Sequence, residues 1–378
     1  MIKITHSLSD KTSDKIFNIT LSENKVITES GKIAKLKLTE KEFENNREAF
    51  FYFEKKEWEM LKKGFLMKQP EADAGEPMLH YFMGSGYTGC LSLVNLGDLF
   101  AVYELKGDKN NYKYDALQFI DLNGNLKKSL DLPKVLPWNI LFHDNKNFLL
   151  IDLDHFIYTY DVENDNFTQL TDNFKQPGSF ISMSEHCIAF GAAPKIYVKD
   201  LESGQLLFEK EFDPQLYSGH STQFKGAISK QGKLLATCTH AGSIEIFDIV
   251  SGKSETIQGN FEMVEKMDFI ENDQILLVHE KYGSWGLRFF DLETKSELTF
   301  PDLKIPSYDT MVQHYTISKN GSQLIAVQHK NAYLFDLNEK KIIYSFRLFH
   351  TIKNAKPVFG QDCVAFRTDY GCFSIYRI

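Results

Sequence analysis

Six short hydrophobic runs along this chain end on an aspartate followed by an apolar residue. They are Ile120-Asp121-Leu122, Tyr160-Asp161-Val162, Lys199-Asp200-Leu201, Phe247-Asp248-Ile249, Phe290-Asp291-Leu292 and Phe335-Asp336-Leu337. A weaker copy follows as Tyr376-Arg377-Ile378. Successive marks stand 40, 39, 48, 43, 45 and 41 residues apart. A period of about 40–45 residues built from short strands implies one four-stranded antiparallel unit per repeat, the blade of a β-propeller. The repeat therefore decides most of the fold, and it favours an interaction surface over a catalytic pocket.

The chain has 378 residues, 43% of them hydrophobic, which is enough for a large propeller with an appendage. A net charge of −8 is not that of a basic nucleic-acid coat. No apolar segment follows Met1-Ile2-Lys3-Ile4-Thr5-His6, so no secretory signal is expected. No run reaches the roughly 18 apolar residues of a membrane span. The five cysteines, Cys90, Cys187, Cys238, Cys363 and Cys372, read as small buried hydrophobes of a reducing, cytoplasmic setting.

The stretch from Lys68 to Pro77 holds two prolines, a glycine and three acids, and reads as a linker. Residues 1–70 carry 14 basic and 11 acidic side chains, net +3, and residues 71–378 carry 29 and 40, net −11. Before the linker, Ile16–Leu21, Val26–Thr28 and Ile33–Leu38 alternate like strands. Thr39 and Glu42 have capping-box spacing, which predicts a helix over about 40–63 that ends at Gly64. Ala49, Phe50, Phe53, Met60 and Leu61 form its broad apolar stripe. Phe51 and Trp58, seven residues apart, share a second face that is either docked within the chain or open to a partner.

Residues 14–67 resemble a WGR domain. Asp14-Lys15-Ile16-Phe17-Asn18-Ile19 is similar to its first strand, and Glu29-Ser30-Gly31-Lys32-Ile33-Ala34 occupies the place of the signature. Arg47-Glu48-Ala49-Phe50-Phe51-Tyr52-Phe53 and Leu61-Lys62-Lys63-Gly64-Phe65 are similar to its helix and helix stop. Ser30 stands for the signature Trp and Lys32 for its Arg. In poly(ADP-ribose) polymerases such domains contact DNA ends and neighbouring domains through that Trp and Arg. Losing the ring removes a stacking surface, and Lys lacks the bidentate fork of Arg. The resemblance implies Lys32, Lys35, Lys37, Arg47, Lys55 and Lys56 as the nucleic-acid contacts of an alternative function. Interspersed glutamates favour a solvated charged helix instead.

After the linker, strands recur in groups of four. Blade one is read from Cys90–Leu96, Leu99–Leu105, Ala116–Leu122 and Leu126–Leu132. The last group supplies three strands, Lys356–Gly360, Cys363–Thr368 and Cys372–Ile378, so Met78–Met83 is assigned as its fourth. This strand closes the ring at seven blades and removes an open sheet edge. Within residues 214–260, Gly219-His220, Gly242-Ser243-Ile244-Glu245-Ile246-Phe247-Asp248 and Ser251-Gly252-Lys253 resemble a WD40 repeat. Ala241 and Phe247 occupy the places of that family's Asp and Trp, which implies a divergent propeller without the family's hydrogen-bond network. The expected architecture is thus mainly β: a small α+β WGR-like domain (1–70), a linker (71–77) and a seven-bladed propeller (78–378).

Catalytic motifs are missing. There is no Gly-x-Ser-x-Gly elbow and no phosphate loop, and Met83-Gly84-Ser85-Gly86-Tyr87-Thr88-Gly89 reads as a turn. His143, His155, His186, His220, His240, His279, His314, His329 and His350 scatter without metal-ligand spacing, and Asp152-Leu153-Asp154-His155 reads as a polar turn. No catalytic residue, metal or cofactor is expected. Phe51, Trp58, Trp138, Tyr217, Trp285 and Tyr308 are the candidate partner surface, because aromatic side chains dominate interface energetics. The reading is a non-enzymatic interaction scaffold for a protein or peptide partner. Its rivals are nucleic-acid binding and a propeller hydrolase with carboxylates or histidines at the channel mouth.

Overall fold

The computed structural model describes residues 3–84, 90–105, 115–153, 156–171, 179–192, 194–213, 224–238, 242–261, 263–280, 286–303 and 312–378. The chain separates into two compact units. One holds residues 1–132, 329–332 and 345–378, and the other holds 133–328 and 333–344.

Among the described residues there are six four-stranded sheets, over 93–131, 137–169, 179–211, 225–258, 264–298 and 314–347. In each of them sequential neighbours pair, the order of an up-and-down meander. Their inner strands are rich in apolar residues; Ile275–Glu280, which opens with Ile275-Leu276-Leu277-Val278, is buried along its whole length. That pattern belongs to strands covered on both faces.

The repeat aspartates have one structural job. Asp121 accepts backbone N–H bonds from Asn123 and Asn125 at 2.9 and 2.8 Å. Asp161 accepts from Glu163 and Asn164, both at 2.9 Å. Asp200 accepts from Glu202 and Ser203, Asp291 from Glu293 and Thr294, and Asp336 from Asn338 and Glu339. Asp248 accepts from Ser251 at 2.7 Å. Each carboxylate closes an Asx turn between the third and fourth strands of its sheet. Partial burial raises Asp121, but its hydrogen bonds with Asn125, Lys127 and Asn123 together outweigh it and hold the group down to about 2, and hydrogen bonds in the same turns lower Asp161, Asp200, Asp248 and Asp291.

The first unit contains one larger sheet. β1 (Lys3–Asp10), β2 (Lys15–Ser22), β3 (Lys25–Lys32) and β4 (Lys35–Glu42) pair in sequence. Helix α1 (Asn46–Leu61) follows, then β5 (Phe65–Lys68) and β6 (Pro77–Phe82). β5 pairs with β1 on one side and β6 on the other, and β6 pairs with the strand Cys372–Arg377. Nine strands are thereby joined edge to edge, from Ala355–Phe359 to β4. Residues 69–76, where composition breaks, are the loop of the β5–β6 hairpin, and Ala72 within it is buried. Leu66 of β5 and Leu79 of β6 share one apolar cluster with Leu93, Phe100, Cys363 and Phe373.

Helix α1 begins later than the sequence predicts. β4 runs through Thr39 to Glu42 and is exposed at every residue. Asn45 is the N-cap: its side-chain oxygen accepts the Glu48 N–H at 3.0 Å, and its amide reaches back to Glu48 Oε1 at 3.3 Å. The Thr39–Glu42 spacing was a decoy, because β3 supplies backbone partners that hold Thr39 extended opposite Thr28. The helix ends at Leu61 with Lys62 as its C-cap, and the turn after it closes on Gly64, whose φ of +91° favours glycine. All five cysteines are buried. Burial raises Cys90 and Cys363 to about 11 and Cys372 to about 12.

Candidate functional site

Helix α1 presents two chemically different regions. Its N-terminal half places Asn46, Arg47, Phe50 and Phe51 on one side of a shallow groove of about 490 Å³, with Lys330 and Arg347 opposite. The Arg347 guanidinium lies over the Phe50 ring at 4.2 Å, and that of Arg47 lies over Phe51 at 5.5 Å. Both are cation–π distances. Glu54 is the acid beside this wall, 3.6 Å from Arg347. Two aromatic rings and three cations thus line one open surface, where an anion and an apolar side chain can be held together.

The inward face of α1 carries Phe53, Glu57 and Leu61 at i, i+4 and i+8, all fully buried. Phe53 and Leu61 are ordinary core residues, but Glu57 is a carboxylate in the same row. Three histidines meet it. His6 of β1 places Nδ1 3.0 Å from Glu57 Oε1, and His80 of β6 places Nδ1 2.9 Å from the same oxygen. His350, after the strand Lys341–Arg347, places Nε2 3.1 Å from Oε2. None of the four residues is more than 3% exposed.

Apolar side chains wall this cluster. Phe53 and Phe349 stand edge-on to His6 at 5.1 Å, and Trp58 lies 5.2 Å from His350. Burial alone raises the Glu57 carboxyl, but the imidazoles of His6, His80 and His350 outweigh it and hold the group well below the usual carboxylate range. Burial pushes His80 down to about 4 despite its contact with Glu57. His6 Nδ1, Glu57 Oε2, His80 Nε2 and His350 Nε2 are buried without a well-aligned hydrogen bond.

The structure redistributes the residues singled out from sequence. Phe51 is 48% exposed, in the first unit, and Trp138 is 44% exposed, in the second. Trp58 is not surface: it is 8% exposed and packs on Tyr370 at 4.7 Å and Phe82 at 5.3 Å. Tyr217, Trp285, Tyr308, Gly219, His220, Ala241, Asp154 and His155 lie outside the described residues. Of the basic set, Arg47 lines the groove, while Lys55 is exposed on α1. Lys35 and Lys37 are exposed on one face of β4. Lys56 pairs with Glu59 at 2.7 Å, and Lys32 lies 3.9 Å from Asp14.

The cluster was missed because its members stand at positions 6, 57, 80 and 350, which no spacing rule connects. Two local signals were present. Glu57 falls on the helix row of Phe53 and Leu61, where a core residue belongs. His80 interrupts the apolar strand Met78–Phe82.

No protein-family model matches the chain. No curated protein matches it. Among solved structures, a chain from "Crystal Structure of Mitotic Checkpoint Complex" is similar with a TM-score of 0.60 at 14% identity. The match covers 82% of this chain and 97% of that one. At that identity the likeness speaks for fold and not for activity. The small antiparallel sheets form a β-propeller of WD40-like type, mainly β in class.

Proposed function

We propose that the chain is a non-enzymatic protein-interaction module whose docking face is the groove at the start of α1, and that it takes an acidic peptide segment with an apolar anchor. The observation that carries this is the set of three cations, Arg47, Lys330 and Arg347, around the rings of Phe50 and Phe51. Aromatic and arginine side chains are the residue types that concentrate binding energy at interfaces. The cations select carboxylates, and the rings receive an apolar side chain.

The solved structure of similar fold belongs to a multiprotein checkpoint complex, which supports partner binding as the role of the propeller. In this reading the six four-stranded sheets are blades, and β6 with the three strands over 355–377 makes a seventh. β1–β5 with α1, the part that resembles a WGR domain, is the addition that supplies the helical wall of the groove.

The test uses the full chain and a fluorescein-labelled peptide of alternating Glu and Phe residues, followed by anisotropy. The expected dissociation constant is on the order of micromolar. It rises with salt, because exposed charges are screened over about 10 Å at 0.1 M. Arg47→Glu combined with Lys330→Glu weakens binding at least roughly tenfold, a loss of about 1.4 kcal/mol. Equal binding of a Lys–Phe peptide overturns the reading. Tighter binding of a single-stranded oligonucleotide than of the acidic peptide transfers the groove to nucleic acid.

A further inference from the structure

We propose that His6, Glu57 and His80 bind a buried first-row transition-metal ion, zinc by preference, and that His350 positions the carboxylate. The ligand atoms of His6, Glu57 and His80 lie within 4.8 Å of one another. Zinc bonds of about 2.0–2.1 Å in tetrahedral geometry separate neighbouring ligand atoms by roughly 3.3 Å. The 3.0 and 2.9 Å separations from Glu57 Oε1 are short of that by a few tenths of an ångström, within the reach of small side-chain rotations. Two imidazole nitrogens and one carboxylate oxygen form a donor set that suits zinc.

As a purely hydrogen-bonded cluster the site is under-satisfied. Two ring nitrogens converge on one carboxylate oxygen, yet only the His80 contact has hydrogen-bond alignment. The His6 contact is equally close and is not aligned. In native interiors the large majority of buried polar side-chain atoms have partners, and exceptions point to an unplaced water or ion. A cation between these nitrogens and Oε1 uses the His6 Nδ1 lone pair, which is otherwise unmet, and takes the place of the His80 Nδ1–Oε1 hydrogen bond. It also places positive charge against a carboxylate that no lysine or arginine contacts directly among the described residues. His350 Nε2 lies 3.1 Å from Oε2, at the place of an outer partner that orients a metal-bound carboxylate.

The role is structural. Every donor is buried, and the donors come from β1, α1 and β6, which the chain joins in one unit, with a water to complete the tetrahedral set beside the three protein ligands. An ion here ties the N-terminal strand to the helix and to the strand beside Cys372–Arg377. This assignment does not depend on the groove or on what docks there.

The experiment measures metal content of the full chain, expressed without a histidine tag, washed with chelator and assayed by mass spectrometry. About one zinc per chain is expected. His6→Ala and Glu57→Gln each lower retained zinc at least roughly tenfold, since loss of an outer partner alone costs about 10–100-fold in affinity. Because Glu57→Gln can also fail to fold, a second measurement uses wild-type chain refolded with Co²⁺, where intense visible d–d bands report tetrahedral nitrogen and oxygen ligation. Folded wild-type chain that holds no zinc and shows no such bands overturns the proposal. So does a His6→Ala chain that retains zinc as wild type does.

Discussion

A strand that must reverse within three or four residues leaves backbone N–H groups without ladder partners, and one aspartate per repeat meets them. This is why Asp, and not another polar residue, marks the period: both carboxylate oxygens accept, and the side chain is short enough to reach two residues ahead. Asp121→Ala removes acceptors for the Asn123 and Asn125 N–H groups and should cost about 1 kcal/mol, read as a lower urea midpoint. Asp121→Asn keeps one acceptor oxygen and should cost less. Equal losses for the two variants would show that charge, not the turn bond, is what counts. The same bonds set an acid limit. Asp121 at about 2, with Asp161, Asp200, Asp248 and Asp291 also lowered, means that the folded chain binds these protons less readily than the unfolded chain. Their stabilisation is complete above the unfolded value of about 3.9 and is lost as pH falls through the folded values. Melting temperature followed from pH 5 to pH 2 should stay level first and then drop across the lower half of that range. A drop completed above about pH 4.5 would assign acid sensitivity to other groups.

At the scale of elements, close packing imposes requirements that the sequence states only through single residues. Phe180 of the strand Ser179–Met183 lies against two glycines: a Cβ on Gly191 would meet its ring at 2.6 Å and Phe224 at 2.1 Å, and a Cβ on Gly226 would meet it at 2.5 Å. Gly191→Ala should therefore destabilise by about 1–3 kcal/mol through overpacking. Phe180→Leu in the same chain should recover part of that loss, and a double-mutant cycle in urea separates the coupling from the two single costs. Strictly additive losses would mean that the ring does not meet the new methyl group. The same scale explains what could be read in advance. The strand over 99–105 was legible because burial through its centre leaves an apolar run from Leu99 to Tyr103. The start of α1 was not, since Thr39-x-x-Glu42 and Asn45-x-x-Glu48 carry the same capping chemistry, and only pairing with β3 decides between them. The face of Trp58 was not legible either. Helical geometry puts it in line with Phe51, but Tyr370 and Phe82 cover the C-terminal end of the helix and leave its start open. The buried histidine cluster lay further out of reach, because it exists only where β1, α1 and β6 meet.

For the molecule as a whole, the charge step and the prolines near residue 70 suggest a boundary that hydrogen bonding does not respect. β5 and β6 flank that stretch and pair with each other, so one sheet continues across it. Leu66 and Leu79 lie on opposite sides of the compositional break but in one apolar cluster. A chain that begins at Gln69 loses β1–β5 and α1. It exposes the edge of β6, uncovers Leu79 and leaves His80 and His350 without Glu57. An unprotected strand edge beside apolar surface is a template for association. The shortened chain should unfold at a temperature at least roughly 5 °C lower, since a loss of a few kcal/mol moves the midpoint by about 2–4 °C per kcal/mol at this size. It should also bind a hydrophobic dye before unfolding and associate at concentrations where the full chain does not. Calorimetry checks this directly. If residues 1–68 were an independent appendage, the full chain would show a transition at the midpoint of the shortened one, together with a separate small transition. Pairing of β1 to β5 and of β5 to β6 predicts instead that this small transition is missing, and that the first unit melts with its N-terminal sheet and last strands together.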